Sequence, residues 1–342
     1  MNLTLAPSTD PTTILRYRDC LYGDDMLVAG LVWLDFFTWL NEQGSATEAE
    51  VCEHYGFHSR PTDVMLTMFK ARDLLVEREG KFSLTPAAKE HLVFDSPWFI
   101  GPYYASLKDR PVAKDILQVL KTDRPANWGS QSDLNDWHKS METDAFAEQF
   151  TAAMDCRGVF LAQAAAKALN LSSHKHLLDI AGGSAIYACS FLAHHPHLKA
   201  TVLEKPPVDK IASKAIAKRG YSESIDVHAS DMMLDPLPTH ADIHLFSNVL
   251  HDWGIPEVKQ LLRASHAALP PGGMLIVHDA FLNADKPGPA HVAEYSVMLM
   301  HATQGRCYGV KEMEQWAAEC GFTEFNYQDT AAARGILTAK KS

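Results

Sequence analysis

At 342 residues, 46% hydrophobic, 21% charged and with a formal net charge of −11, the chain is long enough for two domains with full cores. Its acidic balance disfavours nucleic acid and anionic membrane as main partners, because both reward stripes of Lys and Arg. Six cysteines at 20, 52, 156, 189, 307 and 320 form no Cys-x-x-Cys pair, which argues against a zinc knuckle or disulfide framework and fits a reducing, cytoplasmic setting.

The first 11 residues lack a basic segment leading into an apolar core, and no uncharged apolar run reaches the length of a membrane span. Residues 1 to about 12, rich in Pro, Thr and Ser, are expected to fray. Residues 22–40 are apolar nearly all round and read as one helix buried on several sides, part of it against another subunit. Residues 47–56 form a short capped helix ending in Gly56, and residues 60–75 a second helix with Pro61 near its start. Residues 76–85 alternate around Gly80 as a hairpin does.

Helix, turn, helix and hairpin together predict a winged-helix unit. The second helix carries Arg60, Lys70 and Arg72 against Asp63 and Asp73, too little positive charge to hold phosphates. A dimerisation or substrate-lid scaffold is therefore expected rather than a DNA reader. Residues 95–140 mix Pro, Trp and Gly with short helical pieces, including 112–121, and read as a linker. The spacing of Phe146, Phe150, Met154, Val159, Phe160, Ala164 and Leu169 predicts one or two amphipathic helices walling a cleft.

The stretch Leu177-Leu178-Asp179-Ile180-Ala181-Gly182-Gly183-Ser184-Ala185 organises the rest. An apolar run that reaches an acid, turns on glycines and passes into a helix is the first strand, loop and helix of a nucleotide-binding α/β unit. Glu204 closes the next apolar run about 25 residues on, an offset from which an acid reaches ribose hydroxyls. Neither Gly-Lys-Ser/Thr nor Gly-x-Gly-x-x-Gly is present, which favours a ligand with ribose and adenine but no pyrophosphate. S-adenosylmethionine is the candidate; a tight turn of any α/β domain is the alternative on this stretch alone.

Further strands are expected at 225–228, 241–248 and 274–279, with a helix over 257–269 ended by Pro270-Pro271-Gly272-Gly273. A helix over 311–320 and an antiparallel pair at 322–327 and 335–339 close the chain. The fold class is thus α/β: a doubly wound, Rossmann-like domain over 175–342, after an α-rich domain over 1–95 and a helical linker over 96–174. Ligands of such sheets lie beyond the carboxyl ends of the strands, where Gly182, Gly183, Glu204, Asp231, His251-Asp252-Trp253 and Asp279 should converge. Asp231-Met232 suits an adenine, the carboxylate accepting from the amine and the thioether lying on the ring; a surface Asp in a turn is the alternative.

In that order, Asp179 to Ala185, Glu204, Ser230-Asp231-Met232, Leu250-His251-Asp252-Trp253 and Leu269-Pro270-Pro271-Gly272-Gly273 resemble the caffeate/acetylserotonin-type class I S-adenosylmethionine-dependent O-methyltransferases, among them bacterial natural-product enzymes. The resemblance covers nearly the whole chain. It implies that Gly182 and Gly183 line the methionine part of the cofactor, Glu204 binds the ribose, Asp231 and Met232 hold the adenine and Trp253 packs beside it. Asp179 and Ser247 are placed with the cofactor site. His251 is implied as general base and Asp279 as the acid orienting it: an imidazole near neutral pKa can take a hydroxyl's proton, and a carboxylate behind it fixes the tautomer. A packing or capping histidine is the alternative for His251. His278 falls near the same cleft and reads as structural.

Phe150, Met154, Met298 and His301 are candidate walls of a substrate pocket, each taken singly being more often core. Ala181 and Ala185 stand where the family usually has glycine, Cys307 of Gly305-Arg306-Cys307-Tyr308-Gly309 where a second acid commonly supports the base, and Ser247 where some relatives carry Lys. The expected protein is a cytoplasmic homodimer, joined through its N-terminal domain, that methylates a hydroxyl, expected to be phenolic, on a small aromatic or natural-product substrate. S-adenosylhomocysteine is the product, and no metal is implied because the acids lack a ligating cluster. The alternatives are a non-methylating reaction on the same fold (decarboxylation, hydroxylation or a pericyclic step), carbon or nitrogen methylation, and a winged-helix regulator with a ligand-sensing C-terminal domain.

Overall fold

The computed structural model describes residues 2–126 and 140–342, which divide into two compact units. One takes residues 14–126 and 282–309, the other 2–13, 140–281 and 310–342. The divisions expected at 95 and 174 follow chain order, whereas both units are discontinuous. Part of the expected linker, residues 127–139, lies outside the described residues.

In the unit built from 14–126 and 282–309, Thr47 opens the helix Glu48–Tyr55 with a reciprocal cap. Its hydroxyl accepts from Glu50 N at 3.2 Å while the Glu50 carboxylate accepts from Thr47 N at 2.7 Å. The helix Ser59–Ala71 follows, burying Val64, Met65, Met68 and Phe69. Strands β1 (Ala46–Thr47), β2 (Leu75–Arg78) and β3 (Lys81–Leu84) then make an antiparallel sheet in the order β1-β3-β2.

Residues 22–40 are not one helix, contrary to expectation. An α-helix over Gly23–Val28 widens into a π-turn at Ala29–Trp33, and a new helix, Phe36–Gln43, begins after Asp35 at φ 47°. Aromatic packing explains the break: Phe36 and Phe37 turn onto Phe69 with ring centroids 5.7 and 5.1 Å away, and Gly30 lies so close that a Cβ would meet the Phe69 ring at 2.7 Å.

The cations of the second helix are all engaged within this unit. Arg60 donates to Asp123 Oδ1 at 2.7 Å and to the carbonyls of Met300, Thr303 and Gly305, at and just beyond the end of the helix Ala290–Ala302. Those carbonyls lack intrahelical donors, and a guanidinium there also offsets the helix dipole. Lys70 pairs with Glu77 at 2.6 Å, and Arg72 with Glu294.

The other unit is a seven-stranded sheet of β4 (His176–Ile180), β5 (Lys199–Glu204), β6 (Ile225–Ala229), β7 (Ile243–Ser247), β8 (Met274–Asp279), β9 (Phe322–Asp329) and β10 (Gly335–Lys341), in the order β6-β5-β4-β7-β8-β10-β9. Strands β4 to β8 are parallel, and β10 pairs antiparallel with both β8 and β9. Central strands are buried on both faces, which is why β4, β5 and β8 read as unbroken apolar runs rather than alternating ones. The chain builds outward from β4 to β6 on one side and from β7 to β8 on the other, so the order reverses between β4 and β7. Ligands enter open α/β sheets at that reversal. The helix Asp144–Lys167 packs on Ile186–His194 through Gly158, where a Cβ would collide with Ile186.

Candidate active site

The loop after β4 is held from beneath and behind. Asp179 is buried, and its carboxylate accepts from Ala188 N at 3.1 Å in the following helix. Gly182 lies directly over it: a Cβ there would sit 2.6 Å from Asp179 Cγ and 3.0 Å from Val202 Cγ1, so only glycine fits. Gly183, at φ 58°, faces open space, and its amide donates to Glu204 Oε1 at 2.8 Å. Ser184 is tied to Asp155, which also pairs with Arg219.

Ala181 and Ala185 adopt φ 54° and 63°, the left-handed region in which glycine is at ease and alanine is strained. The loop thus keeps a glycine's backbone shape without the glycines. The Ala185 methyl is fully buried in the core, so it compensates by packing.

Burial pushes the Asp179 and Glu204 carboxyls up to about 7, the amides of Gly183 and Lys205 pulling Glu204 the other way. Two carboxyls this close to neutrality, under an open loop face at the sheet's reversal point, fit a ligand that brings hydroxyl donors and positive charge. S-adenosylmethionine has both, in its ribose and its sulfonium. Asp231, after β6, is half-buried and accepts from Met233 N at 2.8 Å; Met232 and Trp253 are also half-buried.

The turn after β7 carries His251 and Asp252 on a single 3₁₀ turn, Leu250–Asp252. His251 is buried; its Nδ1 is hydrogen-bonded to Asp279 at the end of β8, and its Nε2 lies 3.6 Å from Asp252 Oδ1. Asp279 also accepts from Ala280 N at 2.7 Å. Burial alone would pull the His251 pKa down, but the Asp279 and Asp252 carboxylates outweigh it and the pKa lies above the ordinary histidine value. Burial opposes ionisation of Asp279 as well, and the contact with His251 carries its pKa below the usual range. Asp252, more weakly paired, is pushed by burial up to about 6. A carboxylate on Nδ1 fixes the proton there and leaves Nε2 as the basic atom.

Ser247 and His278 meet at 2.9 Å, in a polar cluster with Tyr187, Asn248, Thr330 and Arg334 that the sequence did not announce. Asn248 read as the last residue of a strand; it instead leaves β7 at φ 54°. Thr330 and Arg334 lie in the far hairpin, so no local pattern could have linked them to β7.

Of the candidate pocket residues, Phe150 and Met154 are half-buried on the helix Asp144–Lys167, with Phe150 stacked on Phe146 at 6.1 Å. Met298 and His301 belong to the other unit. There Met298 Sδ accepts from Arg18 at 3.1 Å, and His301 is buried edge-on to Tyr22 and 3.3 Å from Asp115. Cys307 is fully buried in that unit, its amide donating to Ser296 Oγ at 3.0 Å. Among the described residues no group of three or more His, Cys, Asp or Glu is placed to hold a metal ion, and no helix is long and apolar enough to cross a membrane.

Residues 114–323 match the O-methyltransferase domain family. The 3-hydroxy-5-methyl-1-naphthoate 3-O-methyltransferase of Streptomyces sahachiroi is 30% identical over 305 residues, 87% of each chain. An O-methyltransferase family 2 protein of Planctomyces limnophilus, solved in complex with apigenin, superposes with a TM-score of 0.89 at 30% identity, over 100% of this chain and 99% of that one. Human N-acetylserotonin methyltransferase in complex with SAM shares the fold, with a TM-score of 0.62 at 22% identity over 99% and 100%. Methylation at other atoms occurs among the relatives: the L-tyrosine C(3)-methyltransferase of Streptomyces lavendulae is 27% identical over 86% of this chain and 82% of that one, and the N,N-dimethyltransferase OxyT of Streptomyces rimosus 27% over 97% and 96%.

Proposed function

The chain belongs to the O-methyltransferase family, and from that premise we propose that it moves a methyl group from S-adenosylmethionine to a phenolic hydroxyl of a small aromatic or natural-product substrate. The observation that carries this reading is the buried His251–Asp279 pair at the carboxyl end of the sheet, beside the loop that leaves β4. Hydroxynaphthoate and apigenin, named with two of the relatives, both bear phenolic hydroxyls.

Gly182, Gly183 and Glu204 hold the cofactor's methionine and ribose in this reading, with Asp231, Met232 and Trp253 around the adenine and Asp179 and Ser247 supporting the walls. Bound there, the cofactor supplies an electrophilic methyl carbon on a sulfonium. His251 Nε2 takes the proton of the acceptor hydroxyl, and Asp279 and Asp252 stabilise the imidazolium that results. The elevated pKa strengthens the base and requires a pH above it for the base to be free. Positioning the two reactants in line supplies the rest of the rate.

The N-terminal helices and hairpin serve as a winged-helix dimerisation scaffold rather than a DNA reader. Every cation on the second helix is already paired, and Trp33, Phe94, Trp98, Ile100 and Tyr103 leave large apolar side chains exposed in the same unit. Light scattering of the purified protein should give the mass of a dimer. The reaction itself is tested by incubating the protein with S-adenosylmethionine and a panel of hydroxylated aromatic acids and polyphenols. Mass spectrometry should find a product one methyl heavier; binding of S-adenosylhomocysteine without methylation of any oxygen, nitrogen or carbon acceptor would turn the reading toward a non-methylating enzyme.

A further inference from the structure

Five residues that the proposed proton transfer does not use form a closed hydrogen-bonded circuit beside the base, with Tyr187 branching from it, and proton counting fixes the direction of the bonds around the circuit. Arg334 Nε donates to Asn248 Oδ1 at 3.3 Å, which sets the orientation of the amide. Asn248 Nδ2 then donates to Ser247 Oγ at 3.1 Å and to Tyr187 Oη at 3.0 Å. Thr330 gives its one hydroxyl proton to the Arg334 carbonyl at 3.0 Å, so it can only accept from His278 Nε2 at 3.3 Å. His278 Nε2 therefore carries the ring proton, Nδ1 is bare, and Ser247 Oγ donates to it at 2.9 Å. Burial keeps this ring neutral, pushing its pKa down to about 3. The circuit returns to Arg334 at its carbonyl, which accepts from Thr330.

Backbone bonds connect the circuit to the base. Asn248 N donates to the His278 carbonyl at 2.8 Å, and the residue after His278 is Asp279. Asn248 itself stands at φ 54°, a conformation asparagine tolerates better than most side chains, and the 3₁₀ turn bearing His251 begins two residues later. Tyr187 lies in the first turn of the helix that follows the cofactor loop.

We propose that Asn248 is a positioning residue: its side chain, bonded to Ser247, Tyr187 and Arg334, holds the turn after β7 where the Asn248 amide meets the His278 carbonyl and His251 Nδ1 meets Asp279. The catalytic consequence rests on the reading of His251 as the base. Asn248→Gly keeps the left-handed backbone and removes the side chain. Asn248→Asp keeps the shape, replaces two donors with an acceptor and leaves Arg334 a partner, so it serves where the glycine variant fails to fold.

The primary readout is the downfield proton NMR resonance of His251 Nδ1–H, assigned by its disappearance in His251→Gln. Both Asn248 variants should broaden or lose that resonance while binding S-adenosylhomocysteine within about threefold of wild type. Turnover should fall by about 10- to 100-fold, as displacement of a catalytic group by about an ångström does. The acid limb of the pH–rate profile should shift toward the ordinary histidine value, because Asp279 no longer holds the imidazolium. A variant that melts earlier but keeps the resonance and the pH profile makes Asn248 a structural residue only and overturns the proposal. Full turnover in His251→Gln overturns the base, and with it the catalytic consequence of Asn248; the resonance, which needs no substrate, tells that failure from the first.

Discussion

S-adenosylhomocysteine should bind more tightly as the pH rises from 6 to 8, with Glu204 responsible. Burial holds its carboxyl at about 7 in the cofactor-free protein. In the proposed site ribose hydroxyls would donate to the ionised carboxylate, so binding would lower that pKa, and below it the protein would have to release a proton before binding. Linkage then gives a loss of affinity of about tenfold between pH 8 and pH 6, or about 1.4 kcal/mol, with about half a proton released on binding at pH 7. Calorimetric titration in buffers of different ionisation enthalpy measures both quantities. Glu204→Gln keeps the shape and removes the charge; it should bind more weakly by about 1.5–3 kcal/mol at pH 8, the worth of hydrogen bonds to a charged group, and lose most of the pH dependence. Asp179 is raised by burial to a similar value, so Asp179→Asn separates the two carboxyls. Equal affinity at pH 6 and pH 8 in the wild type, or a pH dependence undiminished in Glu204→Gln, refutes the assignment.

Replacing His251 with Ala should lower turnover by about 10²- to 10⁴-fold while leaving S-adenosylhomocysteine affinity nearly intact, and loss of both together in calorimetry and steady-state assays counts against a base. In the wild type, kcat/KM should rise with pH through a midpoint above 6.5, because the two carboxylates lift the imidazole pKa and only the neutral ring accepts a proton. Gly182→Ala forces a methyl against Asp179 and Val202 and should cost about 1–3 kcal/mol in urea unfolding, with weaker cofactor binding; an unchanged midpoint would show that the loop yields. Arg60→Ala strands three carbonyls at the end of Ala290–Ala302 and should destabilise by about 2–3 kcal/mol, a loss that added salt in the wild type does not reproduce.

Much of the surroundings of the loop after β4 could be read from the sequence because the constraints there are local. An apolar run ending in Asp179, two glycines and an acid at the end of the next strand are each dictated by nearby backbone geometry. The central parallel strands β4, β5 and β8 announced themselves for a similar reason, being buried on both faces. Residues 22–40 misled because all-round hydrophobicity records burial, not continuity: the turn at Asp35 is imposed by Phe69, which lies far along the chain. Arg60 could be read only as one of three positive charges on its helix for a comparable reason, since the carbonyls it serves come from residues 300–305. The circuit through Asn248 was invisible, because Arg334 stands 86 residues from its partner and nothing at either position marks the other.

The discontinuity of the two units has a practical consequence for any attempt to dissect the protein. Residues 282–309 complete the N-terminal unit yet are spelled after eight of the ten strands, and the helix they contain is almost wholly buried. A fragment starting near residue 140 would carry that helix without the residues it packs among, and a fragment ending near residue 126 would lack it. No single proteolytic nick can therefore release either half intact. Ribosomal synthesis must finish most of the sheet before the N-terminal half has its last helix, so the first half emerges with its interior still waiting for a segment encoded more than four-fifths of the way along the chain.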